Sequence, residues 1–299
     1  MKTALFILTT LLATLAHAEN PWASTEKKTA EFLKKHPKVS SEKIVFKTVT
    51  LPNGNELELD FHLERPKEGD SFPVVFYVHG GGWVSGNKSA FAHQSFTLAE
   101  HGIAGVRLEY RLKKHGAKYP EAMSDVMDAI DYVRKNAEKL NLDFTKVGLA
   151  GGSAGGHLSS IAAQKTPECI CYDGYNGLFD AYKRDKSRFG GGDYTGKTPE
   201  EKKAASAIYN IKKSPPHTFL YHGTQDNTVV IKQAHRFKAA LIKNGGSAEV
   251  IVYKGAGHAF FNKDPYLTAT TKALLAHTQF VFGMTDKQPV LSDYLVDLQ

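Results

Sequence analysis

Six short, nearly unbroken apolar runs dominate the pattern of this chain: Pro73 to Val78, Ile103 to Leu108, Val147 to Ala150, Cys169 to Tyr172, Thr218 to Tyr221 and Glu249 to Tyr253. Between them lie stretches with helical periodicity: Ser89 to His101, Pro120 to Leu140, Ser153 to Gln164, Val230 to Asn244 and Pro265 to Gly283. A strand covered on both faces reads as a continuous apolar run, because crossover helices bury both sides of a parallel sheet. Alternation of such strands with helices predicts an α/β fold with a mainly parallel central sheet and helices on both faces.

The N-terminal part departs from that rhythm. After a short helical segment, Ile44 to Thr50 reads as a strand and Asn53-Gly54 as a tight turn. From Glu56 to Glu64 polar and apolar residues alternate, with Leu57, Leu59, Phe61 and Leu63 on one side. That predicts an antiparallel hairpin, half exposed at the sheet edge. A second departure runs from about Tyr175 to Pro216, where no strong strand pattern occurs. It is too short for a domain and is expected to form a small lid over the carboxyl end of the sheet.

The extreme N-terminus carries a different signal. Lys2 precedes an apolar or small run from Ala4 to Leu15, and Ala16-His17-Ala18 supplies small residues at the spacing a signal peptidase accepts. Residues 1–18 are therefore expected to be a signal peptide, which makes the protein exported, periplasmic or secreted. The run falls short of the roughly 20 residues of a membrane span, and no later segment is expected to span. The catalytic domain is then 19–283, with 175–216 as the lid and 284–299 as a surface tail. Only Cys169 and Cys171 are present. Two apart in a strand, they point to the same face, so they are expected to be small buried side chains rather than a disulfide.

Four loops carry residues suited to nucleophilic chemistry. Gly151-Gly152-Ser153-Ala154-Gly155-Gly156 follows a buried strand and opens a helix. Glycines relieve the clashes of a sharp strand-to-helix turn that lifts a serine hydroxyl clear of the sheet, and the helix N-terminus favours negative charge there. His79-Gly80-Gly81-Gly82 follows another strand. Backbone N–H groups of Gly81 and Gly82, with that of Ala154, suit an oxyanion hole. Asp226 and His258 each stand just past a further strand, in His222-Gly223-Thr224-Gln225-Asp226 and Gly257-His258. Open α/β sheets place ligands at these strand ends. A serine hydroxyl needs a base that works near neutral pH, which His258 supplies, and Asp226 would fix the imidazole tautomer.

Together with Tyr77-Val78 before the glycine loop, Trp83 after it, Tyr110-Arg111-Leu112 and Tyr119-Pro120, these stretches resemble the α/β-hydrolases of the bifunctional feruloyl and acetyl-xylan esterase type, close to the hormone-sensitive-lipase-like esterases. The resemblance runs from about Pro73 to Phe260. It implies the α/β-hydrolase fold, a cofactor-free serine esterase, and a triad in the chain order Ser153, Asp226, His258. Trp83 and Phe260, adjoining catalytic positions, are expected at the substrate pocket. The absence of a large N-terminal cap suggests an open site and a substrate that is a small ester or an ester-decorated polysaccharide, such as acetylated or feruloylated plant cell wall.

Two other functions share the pattern. One is an amide-cleaving relative, a peptidase or an arylformamidase. The other is a non-catalytic binding module, which typically lacks a triad member, whereas all three candidates are present here. No metal is expected, because neither H-E-x-x-H nor C-x-x-C occurs. His157 and His222 are expected to be structural, and Arg111 to be an ion-pair partner. The formal charge of +7 reads first as a solvated surface; the sharper alternative is attraction to an acidic polymer. Nucleic acid is not expected as a partner, and oligomeric state is left open.

Overall fold

A computed structural model describes residues 23–185, 187–188 and 192–296. The expected signal peptide, the last three tail residues and part of the expected lid lie outside the described residues. Eight strands form one sheet among the described residues: β1 (Val39–Thr50), β2 (Glu56–Pro66), β3 (Phe72–Val78), β4 (Ala104–Leu108), β5 (Leu142–Gly152), β6 (Cys169–Tyr175), β7 (His217–Gly223) and β8 (Ala248–Tyr253). Their order is β1-β2-β4-β3-β5-β6-β7-β8. The β1/β2 and β2/β4 pairs are antiparallel and all later pairs are parallel. The chain places β4 on one side of β3 and β5 on the other, so the order reverses at β3. In an open α/β sheet the crevice at such a reversal is where ligands bind.

Alternation along the strands divides the interior into two layers. Val74, Phe76 and Val78 of β3 face one core with α3 (Tyr119–Lys135), α4 (Ala154–Lys165) and α6 (Lys232–Lys243). Val75 and Tyr77 face the other, with Leu98 of α2 (Ala92–Glu100) and Leu274 of α7 (Tyr266–Val281). The N-terminal helix α1 (Ala23–Lys35) packs Phe32 against Phe96 of α2. Leu291, Tyr294 and Val296 of the tail pack on the second core.

Two local expectations need correction. The polar side of β2 is not the exposed face of the hairpin: Asp60, His62 and Glu64 are as buried as Phe61. Helices α1 and α2 lie over that side, and the charges are matched there. Arg107 grips Glu64 through Nε at 2.9 Å and Nη2 at 2.6 Å, Ser95 donates to Glu64 at 2.6 Å, and Lys88 pairs with Asp60. The outer strand β1 takes the exposed edge instead. The two cysteines also do not share a face. Between β5 and β6 the register slips, Val147 pairing with Cys169 but Gly148 with Cys171. The extra residue, Ile170, sends Cys169 to the first core and Cys171 to the second. Both are buried free thiols, and burial pushes that of Cys169 up to about 12.

The segment expected as a lid begins inside the core. Leu178, Phe179 and Ala181 are fully buried. Farther along, the short helix α5 (Pro199–Ala204), whose capping box joins Thr198 and Glu201, ends beside α3, where the Tyr119 hydroxyl donates to the Ala204 carbonyl at 3.5 Å.

Candidate active site

The last residue of β5 leads straight into α4 through Ser153, whose φ of 54° and ψ of −117° are strained for a residue with a side chain. Neighbouring glycines make the turn possible. A Cβ on Gly151 would stand 2.5 Å from the Gly155 carbonyl oxygen, and one on Gly155 2.0 Å from that of Val78. The turn is tied to the sheet by the Ser153 N–H donating to the Tyr175 carbonyl at 2.9 Å. Ala154 opens α4, and N–H groups in a first helical turn have no partner within the helix.

The loop after β3 folds over this turn. Gly81 and Gly82 have φ of 115° and 63°, a region that glycine enters without penalty. N–H groups of Val84 and Ser85 donate back to the Gly81 carbonyl at 3.1 and 3.0 Å. From below, the Tyr110 hydroxyl donates to the His79 carbonyl at 2.9 Å, the two rings stack, and buried Glu109 stands 3.2 Å from His79 Nε2. The glycine loop therefore rests on a packed polar support that the motif alone does not reveal.

Asp226 and His258 arrive from the loops after β7 and β8. Gly223 brings these loops together, since a Cβ there would meet the Ala256 carbonyl at 2.2 Å. Asp226 Oδ1 accepts the N–H groups of Thr228 and Val229, both at 2.9 Å, which leaves Oδ2 aimed at His258 Nδ1 at 2.7 Å. His258 Nε2 lies 2.8 Å from Ser153 Oγ. Burial opposes the charge on Asp226, but hydrogen bonds from His222 and His258 and the Val229 N–H outweigh it and hold the carboxyl well below its ordinary range. A carboxylate only accepts, so Nδ1 of a neutral His258 carries the proton and Nε2 is free to accept from the serine hydroxyl.

Loops far apart in sequence thus bring hydroxyl, imidazole and carboxylate into one row, with Gly81, Gly82 and Ser153 lining one cavity of about 400 Å³. The expected pocket residues are different. Trp83 is fully buried, stacked on Tyr194 at 4.5 Å and edge-on to His157. Its φ of 59° lies in the left-handed region, and it does not line the cavity of Ser153. Phe260 packs on Tyr253 and Tyr266. Left-handed Ala259 and a 3-10 turn over Phe260–Asn262 put the next residue, Phe261, at the cavity instead, stacked on Phe91 with ring centres 5.8 Å apart. No motif or spacing marked Phe91, nor Asn176, whose side-chain amide lies 3.3 Å from His258 Nδ1.

The residues expected to be structural are so placed. His157 is buried, its Nε2 2.7 Å from the Ala205 carbonyl, and burial lowers it to about 4. His222 Nε2 is 2.7 Å from the Val229 carbonyl, bracing the acid loop. Arg111 binds Asp125 through two nitrogens, both at 2.8 Å. Among the described residues one buried group, Cys171, Asp173 and His277, brings metal-ligating atoms within 4.8 Å of one another. These side chains bond one another and His217, with His277 Nδ1 2.9 Å from Asp173 and Nε2 2.8 Å from His217. They come from β6 and α7, so no sequence spacing marks them.

Comparison with known structures matches this architecture over nearly the whole of another protein. An esterase of Thermogutta terrifontis, esterase 2 phosphonylated by cyclosarin, superposes with a TM-score of 0.71 at 26% identity, over 83% of this chain and 97% of that one. The chain has the α/β-hydrolase fold. A family model described as BD-FAE matches residues 59–189 of this α/β-hydrolase, which include the glycine loop and Ser153. Among curated proteins, esterase LipC of Mycobacterium tuberculosis is 27% identical over 68% of this chain and 57% of its own length. Isoprenylcysteine alpha-carbonyl methylesterase ICME of Arabidopsis thaliana is 27% identical over 69% and 55%. The chain spans about half the length of the curated relatives it matches. No helix among the described residues is long and apolar enough to cross a membrane.

Proposed function

We propose that this α/β-hydrolase is a serine esterase that hydrolyses carboxylic esters through an acyl-enzyme on Ser153. The row Ser153 Oγ, His258 Nε2, His258 Nδ1 and Asp226 Oδ2, with spacings of 2.8 and 2.7 Å, carries the reading. In the first half, His258 takes the proton of Ser153 as Oγ attacks the ester carbonyl carbon. The carbonyl oxygen becomes an oxyanion held by the N–H groups of Gly81, Gly82 and Ala154. Asp226 stabilises the imidazolium, which then protonates the departing alcohol. In the second half, water loses a proton to His258, attacks the acyl carbon and releases the acid, and the proton returns to Ser153.

The acyl group is short, acetyl ahead of feruloyl. Support comes from the modest cavity beside Ser153, closed on one side by Phe91 and Phe261, and from the Thermogutta esterase, which is known with propionate and with butyrate bound. Export by cleavage after Ala18 and action on acylated plant polysaccharide complete the proposal. Named esterases among the relatives favour esters over the amides of a peptidase or an arylformamidase. Acetate release from 4-nitrophenyl acetate and from acetylated xylan, ferulate release from methyl ferulate, and hydrolysis of an aminoacyl anilide would be compared in wild type and Ser153→Ala. The proposal expects ester turnover that vanishes in the variant. Equal turnover by the two proteins, or amide cleavage exceeding ester cleavage, would overturn it.

A further inference from the structure

A second cavity, of about 600 Å³, adjoins the first across a single peptide unit: Gly82 lines the cavity of Ser153 and Trp83 lines this one. Beneath it lies the buried stacked pair Trp83 and Tyr194. Its rim carries Lys113, Lys118, Arg184 and Arg188, all exposed, against Asp193 alone. None of these five residues joins an ion pair among the described residues. Lys113 is fixed to the glycine loop, its N–H donating to the Trp83 carbonyl at 2.7 Å, and its ammonium lies 5.4 Å from the centre of the Tyr194 ring. The Tyr194 hydroxyl is buried without a hydrogen-bond partner. Buried polar groups are normally hydrogen-bonded, so this unpartnered hydroxyl beneath the cavity wall is an exception.

Four cations without a carboxylate partner among the described residues, on the wall of a cavity that adjoins that of Ser153, describe a receptor for an anionic group. We propose that this cavity is a subsite for a carboxylate-bearing sugar, a uronic acid residue next to the esterified position. The Arg184 guanidinium offers a planar fork that matches a carboxylate, and Lys113, Lys118 and Arg188 add positive charge around it. The inference takes Ser153 as the reacting centre and adds a second contact for the same substrate. It also uses the excess of 38 basic over 31 acidic residues as long-range attraction toward an acidic polymer.

The kinetic test is acetate release from acetylated trigalacturonate and from its methyl ester, which has the same skeleton without charge. Wild type shows a KM about fivefold lower for the acid at low salt, the size expected of exposed charge pairs, and the preference shrinks at high salt. The double variant Lys113→Gln/Arg184→Gln loses the preference while its kcat on 4-nitrophenyl acetate is unchanged. Equal KM values in wild type, or a preference that survives the double variant, would overturn the subsite. The binding test is calorimetric titration of unacetylated trigalacturonate, with xylotriose as neutral control, into Ser153→Ala protein. Uronate binding that the double substitution abolishes supports the subsite even if no ester is cleaved, which would refute the esterase proposal alone. Lack of uronate binding, or equal binding of xylotriose, refutes the subsite alone.

Discussion

Replacing Gly155 by alanine tests how the glycine loop and the serine turn fit together. In an open helix this change stabilises by about 1 kcal/mol. Here the new Cβ falls 2.0 Å from the Val78 carbonyl oxygen and 2.5 Å from that of His79, whereas ordinary carbon–oxygen contacts are about 3.3 Å or more. The end of β3 and the start of α4 must separate by about 1.3 Å, and both obstacles are backbone, which cannot rotate away. That movement carries Gly81 and Gly82 away from Ser153 and Ala154. A misplacement of about 1 Å typically costs about a hundredfold in rate, and overpacking costs about 1–3 kcal/mol of stability. The assay is kcat/KM on 4-nitrophenyl acetate together with the urea midpoint. Gly257→Ala is the control: it adjoins His258, but a Cβ there meets nothing within 4 Å, so activity within about threefold of wild type is expected. A Gly155→Ala enzyme within threefold of wild type would refute the reasoning.

Asp226→Asn should lower kcat by about 10⁴-fold with little change in KM, since an amide facing Nδ1 imposes the wrong tautomer on His258; steady-state kinetics showing a loss under tenfold would contradict this. Stability should fall as pH drops from 7.5 to 5. Burial lowers His157 from 6.5 to about 4, so below about 6.5 the unfolded chain takes up the proton first. This contribution is complete above pH 6.5 and lost as pH falls toward 4, amounting to about 3 kcal/mol in all and about 2 by pH 5. His217 is lowered in the same direction by burial and the neighbouring His277. Urea unfolding at the two pH values reads the change, and an unmoved midpoint would refute it.

What could be read from the sequence was what local chemistry dictates. Continuous apolar runs mark strands covered on both faces, and glycines flanking Ser153 mark a turn that only glycine permits, so β3 to β8 and all four site loops were legible. What escaped depends on the third dimension. The polar side of β2 looks like a solvent face until Arg107, forty-three residues after Glu64, swings across to neutralise it. The slip between Val147 and Gly148 that parts the two cysteines belongs to the pairing of β5 with β6, not to either strand. Trp83 and Phe260 stand beside site residues in sequence, but positive φ values at Trp83 and Ala259 redirect the chain, and Phe91 and Phe261 take the cavity.

The central claim is that Ser153 is the nucleophile. Incubation with a fluorophosphonate followed by peptide mass spectrometry measures it directly. A single adduct on Ser153, formed by wild type and absent from His258→Ala at neutral pH, is the result this account predicts. Labelling at another residue, or an intact Ser153 after activity has been lost, would contradict it.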